Sequence, residues 1–167
     1  VIRIIGISFS LSILLSFISE TTVPNLNLVL GILVALVFVA IGILFDIIGV
    51  SVTASDEKVF HSMNSRKVKG ADIAVKFKKN SEKVSSFCCD VVGDICGVIS
   101  GSTAVAIANM ISKSFNFNLL ITTLLVTAII SSLTIGGKAI GKSFAINKCD
   151  IILYEFSKFI SNFYKCK

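Results

Sequence analysis

The sequence predicts an all-α membrane protein: three core transmembrane helices, an extra N-terminal helix, a juxtamembrane amphipathic helical insert and a C-terminal interfacial helix. Three observations predict it. Hydrophobic residues make up 54% of the 167 residues and charged ones only 16%, and the mean hydropathy of +0.89 lies outside the usual range of a soluble domain. Four apolar runs approach or exceed the roughly 20 residues a helix needs to cross a bilayer, and in hydrocarbon an unpaired amide has no partner, so such runs must be helical. Lysine and arginine are nearly absent from these runs and crowd into a mid-chain zone and the C-terminal end. The net charge of +6 therefore expresses membrane topology; no nucleic-acid-binding motif accompanies it.

The chain forms one transmembrane domain, 1–167. Residues 1–18, with Arg3 at their start, are taken as an uncleaved helix rather than a signal-peptide core, because no small-residue cleavage site follows in SETTVPN. Residues 25–54 hold the longest apolar run, NLNLVLGILVALVFVAIGILFDIIGVS, which spans with length to spare even if tilted. Residues 56–83 form the basic insert, in which Val59, Phe60 and Met63 recur at helical spacing, Gly70 breaks the pattern, and Ile73 and Phe77 resume it. That pattern predicts an amphipathic helix, or a bent pair, on the membrane surface.

Residues 84–112 and 117–137 are the remaining spans, an antiparallel hairpin across the polar turn KSFNFN. Residues 150–167 close the chain with apolar positions at Ile152, Phe156, Phe159, Ile160 and Phe163, a second interfacial helix. Placing Arg3, the insert and the tail on one side puts both termini in the cytoplasm by the positive-inside rule, with Lys113 alone on the other side. The expected location is thus the cytoplasmic membrane, with the lipid bilayer as surroundings. Five cysteines, Cys88, Cys89, Cys96, Cys149 and Cys166, show no CxxC spacing and are expected to be small apolar residues in a reducing setting.

An acidic residue at the bilayer centre costs about 2.5 to 3.5 kcal/mol on insertion scales, so an intramembrane aspartate is a functional candidate by default. Asp46 lies near the end of the second run, and Asp90 and Asp94 lie in the first turns of the third. Four residues apart, Asp90 and Asp94 share a helix face, about one turn from each other. Two carboxylates that close repel, and one is protonated unless a cation sits between them. A hard divalent cation such as magnesium suits that gap. The competing reading is that both are wet at the interface, with Asp90 in an N-terminal turn where negative charge is favoured.

Gly93, Gly97 and Gly101 repeat at four-residue spacing in the same run, a pattern that lets another helix approach closely. The fourth run ends in TIGGKAIGKS, where Gly136, Gly137 and Gly141 each disfavour a helix by about 1 kcal/mol relative to alanine. A helix break is expected there, with freed carbonyls of the kind transporters use to hold ions. The second run ends similarly in GVSVTAS, offering the hydroxyls of Ser51, Thr53 and Ser55.

The stretches GVSVTAS, residues 56–83, CCDVVGDICG and GKAIGKS together resemble the transmembrane domain of the cyclin M and CorB/CorC magnesium transporters. That domain has a serine-rich S-G-S-E-T-A-like turn, a juxtamembrane insert, a G-N-x-x-x-N-like hairpin arm and a closing G-E-x-x-P-K-S. The resemblance implies a magnesium ion, as the transported species, held by Ser51, Asp94, Asp90 and Gly137. Lys142 and Ser143 match the family's lysine and serine. In a second register the G-N pair falls on Gly93 and Asp94, leaving Val98 at the other amide position.

The family glutamate falls at Lys138, its proline at Gly141, and the acid of the serine turn at Val52. Lys138 then either pairs with Asp94 or Asp90 in place of the ion, or snorkels to the surface. The nucleotide-sensing domains that follow in many members have no counterpart in these residues, so the resemblance implies a minimal membrane domain, and a homodimer. The expectation is magnesium transport by alternating access, with Asp46 and Lys138 as gating or neutralising groups. The alternative is a non-transporting assembly or regulatory module whose site is neutralised by Lys138. No organic cofactor is expected, nor an enzyme, because His61 is the only histidine and no nucleophile has a base beside it.

Overall fold

Apolar runs without a polar partner must satisfy their amides internally, and in this protein they do so as long helices. The computed structural model describes residues 27–163 and, before them, Gly6, Phe9, Ser10, Ser12, Ile13, Leu14, Ser16, Phe17 and Thr21. Among these residues every regular element is helical. In chain order they are α1 (Leu28–Ala54), α2 (Glu57–Ser65), α3 (Ala71–Lys79), α4 (Ser81–Ser86), a π-helical segment (Phe87–Gly93), α5 (Asp94–Phe115), α6 (Leu119–Asn147) and α7 (Cys149–Phe163). Most of the helix expected over residues 1–18, and the last four residues of the tail, lie outside the described residues.

Among the described residues three helices are long and apolar enough to cross a membrane: Leu28–Ala54, Ser81–Phe115 and Leu119–Asn147. The second joins α4, the π segment and α5 into 35 residues, about 52 Å at 1.5 Å per residue. That exceeds a hydrocarbon layer of about 30 Å, so its polar first turn, SEKVSS, need not enter lipid.

The break expected at TIGGKAIGKS does not occur. Helix α6 runs without interruption through Gly136, Gly137 and Gly141 to Asn147. Three glycines cost about 3 kcal/mol against alanine, but an amide left open in hydrocarbon costs several kcal/mol by itself. Continuity wins. Helix α1 likewise keeps Ser51 and Thr53 in its last turns, their hydroxyls donating back to the Ile47 carbonyl at 2.8 Å and the Val50 carbonyl at 2.9 Å. The irregular stretch is instead the π segment, which contains Cys88, Cys89 and Asp90.

The chain divides into two compact units. In the unit formed by Val91–Gly137 and the described residues of Val1–Ile43, Val91, Ile95 and Ile99 pack with Phe38. Gly42 is the point of close approach there: a Cβ added to it would lie 3.1 Å from the Cys96 Cβ and 3.6 Å from the Gly93 carbonyl oxygen. The hairpin turn is made by Asn116, left-handed at φ 54°, and by Asn118, whose side chain accepts from the Leu120 amide at 3.0 Å.

The other unit comprises Leu44–Asp90 and Lys138–Lys167. It gathers the end of α1, the insert and α7 around Val52, Phe60, Ala74 and Leu153, each fully buried. Phe77 and Phe156 stack at 5.9 Å between centroids. Part of the apolar face expected to lie on lipid is therefore covered by protein, because α3 finds in α7 a second amphipathic helix to pack on. Val59, Ile151 and Phe159 remain exposed.

Candidate functional site

An acid inside an apolar helix needs a counter-charge or a proton, and Asp46 is the one acid in α1. It is 3% exposed. Its Oδ2 faces the Nζ of Lys142, on α6, at 3.8 Å, too long for the 2.7 to 2.9 Å of a charge-assisted hydrogen bond. That oxygen has no hydrogen-bond partner. Oδ2 thus has an ionic neighbour but no hydrogen bond, while Lys142 is 53% exposed at its side chain.

The π segment supplies the wall beside it. The Cys89 thiol donates to the Asp46 backbone carbonyl at 3.7 Å and lies 3.9 Å from the Ser85 hydroxyl. Gly49 makes the approach possible: a Cβ there would collide with the Cys89 sulfur and lie 3.2 Å from both the Cys88 Cβ and the Ser85 carbonyl oxygen. Helix α1 thus turns a face of Asp46 and Gly49 toward the irregular turn of the second span.

The residues named from sequence fall as follows. Ser51 is fully buried and its hydroxyl hydrogen is used on Ile47, leaving its oxygen lone pairs as acceptors. Asp90 is exposed within the π segment, and Asp94 is exposed at the first position of α5. Ser51, Asp90, Asp46 and Lys138 belong to the unit of the insert, and Asp94 and Gly137 to the other. Gly137 sits inside the unbroken α6, so no helix end frees its carbonyl, and a Cβ on it would meet the Ile43 side chain.

Gly93 is buried, whereas Cβ atoms on Gly97 and Gly101 would meet nothing within 4 Å. Close helix approach in α1 is made at Gly42, beside Cys96 and the Gly93 carbonyl, and at Gly49, beside Cys88 and Cys89. His61 lies on α2, bonded to Glu57 at 3.1 Å on an exposed face. Among the described residues no group of three or more His, Cys, Asp or Glu side chains could hold a metal ion.

Sequence reasoning missed Lys142 as the partner of Asp46. A signal existed. Asp46 lies eight residues before the end of α1 and Lys142 five before the end of α6, about 12 and 8 Å of helix, so the two lie at similar depths from the ends of their helices. Lys138 lies one turn further in. No family model matches the chain, and neither the curated proteins nor the solved structures compared with it include a match.

Proposed function

We propose that the chain is a membrane domain that moves a divalent cation, magnesium being the candidate, across the cytoplasmic membrane by alternating access. The observation that carries this reading is Asp46, a nine-tenths buried carboxylate in a membrane-length helix with one oxygen lacking any hydrogen bond. Such a group is costly in hydrocarbon and is retained where ions or protons are handled. Two further acids, Asp90 and Asp94, lie in the second span, and Ser51 keeps an oxygen for an ion. The resemblance to the cyclin M and CorB/CorC transporters implies Ser51, Asp90, Asp94 and Gly137 as ligands, of which Gly137 lies inside the unbroken α6 with no freed carbonyl to offer.

Magnesium uptake into proteoliposomes tests the reading. Flux above that of empty liposomes, lost in Asp94→Asn and in Asp46→Asn, supports it. Absence of flux from a monodisperse preparation overturns it.

The same reading places the insert and the tail on the cytoplasmic side and pairs two copies as a homodimer. Support for the second point is that none of the most apolar window of α6 is buried within the chain, and that Gly97 and Gly101 face open space. Chemical crosslinking in lipid tests it.

A second reading has an observation of its own. The ammonium of Lys142 already faces the buried acid at 3.8 Å, which favours a neutralised, non-transporting assembly or regulatory module. It differs from the form implied by the resemblance in using Lys142 where Lys138 was expected. Absence of flux, combined with marked destabilisation of Lys142→Ala, would support this module.

A further inference from the structure

We infer that Lys142 is a tethered counter-ion for Asp46, one that a small inorganic cation displaces when it binds the Asp46 carboxylate. The inference rests on the cation-handling reading above and names the group that regulates its affinity. Three features carry it, all within one unit. The acid is buried while its partner is half exposed, so the lysine can leave for water and the carboxylate cannot. At 3.8 Å the pair lacks a direct hydrogen bond, and Oδ2 has no other. The carboxylate is therefore neutralised without being saturated, and a bare oxygen faces the ammonium.

An arrangement built only for stability would close that gap, because an ion pair in low dielectric offsets its desolvation only with good geometry and full hydrogen bonding. Lysine suits a releasable role: its ammonium is a compact charge on a flexible four-carbon stem, without the planar fork by which arginine locks a carboxylate. A metal cation presents the same positive charge to the same oxygen, with a shorter contact. Binding and lysine release are then one exchange: the cation takes the carboxylate, and the freed ammonium is solvated at the end of α6.

The test uses the full chain in lipid nanodiscs, with the thermal midpoint followed as magnesium chloride is added and choline chloride as the ionic-strength control. Lys142→Gln removes the competitor, and its midpoint is expected to respond to magnesium at concentrations about tenfold lower than the parent chain's. Asp46→Asn and the double variant Asp46→Asn/Lys142→Gln are expected to lose that response. Equal magnesium dependence in the parent and in Lys142→Gln overturns the inference, as does a response that survives in the double variant. If Lys142→Gln does not fold without ions, recovery by magnesium but not by choline supports the exchange. Failure to recover while the double variant folds marks a merely structural pair.

Proteoliposome flux separates the two claims. No flux with the tenfold shift intact removes transport and leaves the counter-ion. Flux that Asp46→Asn and Lys142→Gln do not alter, with no shift, removes the counter-ion and leaves transport.

Discussion

Gly70 lies against the backbone of Lys158: a Cβ added to it would be 2.9 Å from the Lys158 Cα and 3.0 Å from its nitrogen. Gly70 also holds φ at +87°, in the left-handed region, as the residue preceding α3. Both constraints act at the point where α3 meets α7. Gly70→Ala is expected to destabilise the unit by about 2 to 3 kcal/mol, combining backbone strain of about 1 kcal/mol with a clash against backbone that cannot swing away. Thermal unfolding in nanodiscs followed by circular dichroism checks it; a midpoint within error of the parent would remove the close approach.

Gly49 and Gly97 form a controlled comparison, because both are helical glycines in membrane-length helices. A methyl on Gly49 collides with the Cys89 sulfur and presses on the Ser85 carbonyl oxygen, whereas one on Gly97 meets nothing. Gly49→Ala is expected to cost about 2 kcal/mol or more by forcing α1 from the π segment. Gly97→Ala is expected to gain up to about 1 kcal/mol from helix propensity within a single copy. Unfolding in dilute micelles, where copies are separated, measures both, and the reverse ranking would contradict the helix approach described above.

These two glycines also show where the sequence was legible and where it was not. The three membrane-length helices follow from runs such as VLGILVALVFVAIGILF, whose length and apolarity admit no other hydrogen-bonded solution in lipid. Which small residues face a neighbour does not follow. Of the four-residue repeat Gly93, Gly97 and Gly101, only Gly93 meets a neighbour within the chain, its carbonyl facing Gly42, and the other close approach is at Gly49; the seven-residue spacing of Gly42 and Gly49 is not distinctive in an apolar run.

The glycines of TIGGKAIGKS disfavour a helix by propensity, but opening an amide in hydrocarbon costs more, and α6 stays continuous. The π segment is irregular without a proline or glycine at its centre, in FCCDVVG, so local sequence gave no warning. The Asp46 and Lys142 pair joins residues 96 positions apart, a relation only the tertiary fold supplies.

Lys78 closes the end of α1. Its ammonium donates to the Thr53 carbonyl at 2.8 Å and the Val52 carbonyl at 3.2 Å, both in the last turn of that helix, where backbone acceptors lack intrahelical partners and the dipole favours a cation. Lys78→Met keeps the stem and removes both bonds. A loss of about 1 kcal/mol is expected, with faster amide exchange confined to the last turn of α1 and to α3. Hydrogen exchange read by mass spectrometry locates the effect, and unchanged exchange in both places would remove the capping role.

Phe60 is the largest fully buried side chain of the insert, packed with Val52, Ala74 and Leu153. Phe60→Ala is expected to cost about 3 to 5 kcal/mol, as for aromatic truncations in closed cores. Because those contacts lie in one unit, limited proteolysis should cut first in α2 and α3. If the insert instead lay flat on lipid with Phe60 in the acyl region, the substitution would weaken membrane contact and leave protease resistance in lipid-free micelles unchanged. The protease pattern in micelles therefore separates burial in protein from burial in lipid.

Topology is decided by side-specific labelling. Lys83 lies in α4 at the start of the second span, and Lys113 in the last turn of α5 at its far end; thirty residues of helix between them extend about 45 Å, more than the hydrocarbon thickness. In a background with the native cysteines replaced by serine or alanine, Lys83→Cys and Lys113→Cys are expected to react with an impermeant maleimide from opposite sides. By the positive-inside rule the Lys113 position should label in intact cells, and the Lys83 position only after permeabilisation. Labelling of both positions from one side would rule out Ser81–Phe115 as a single crossing. Exchange of the two sides would keep the crossing but reverse it, moving the basic insert and α7 out of the cytoplasm and away from the lysine-rich side on which the transport reading places them.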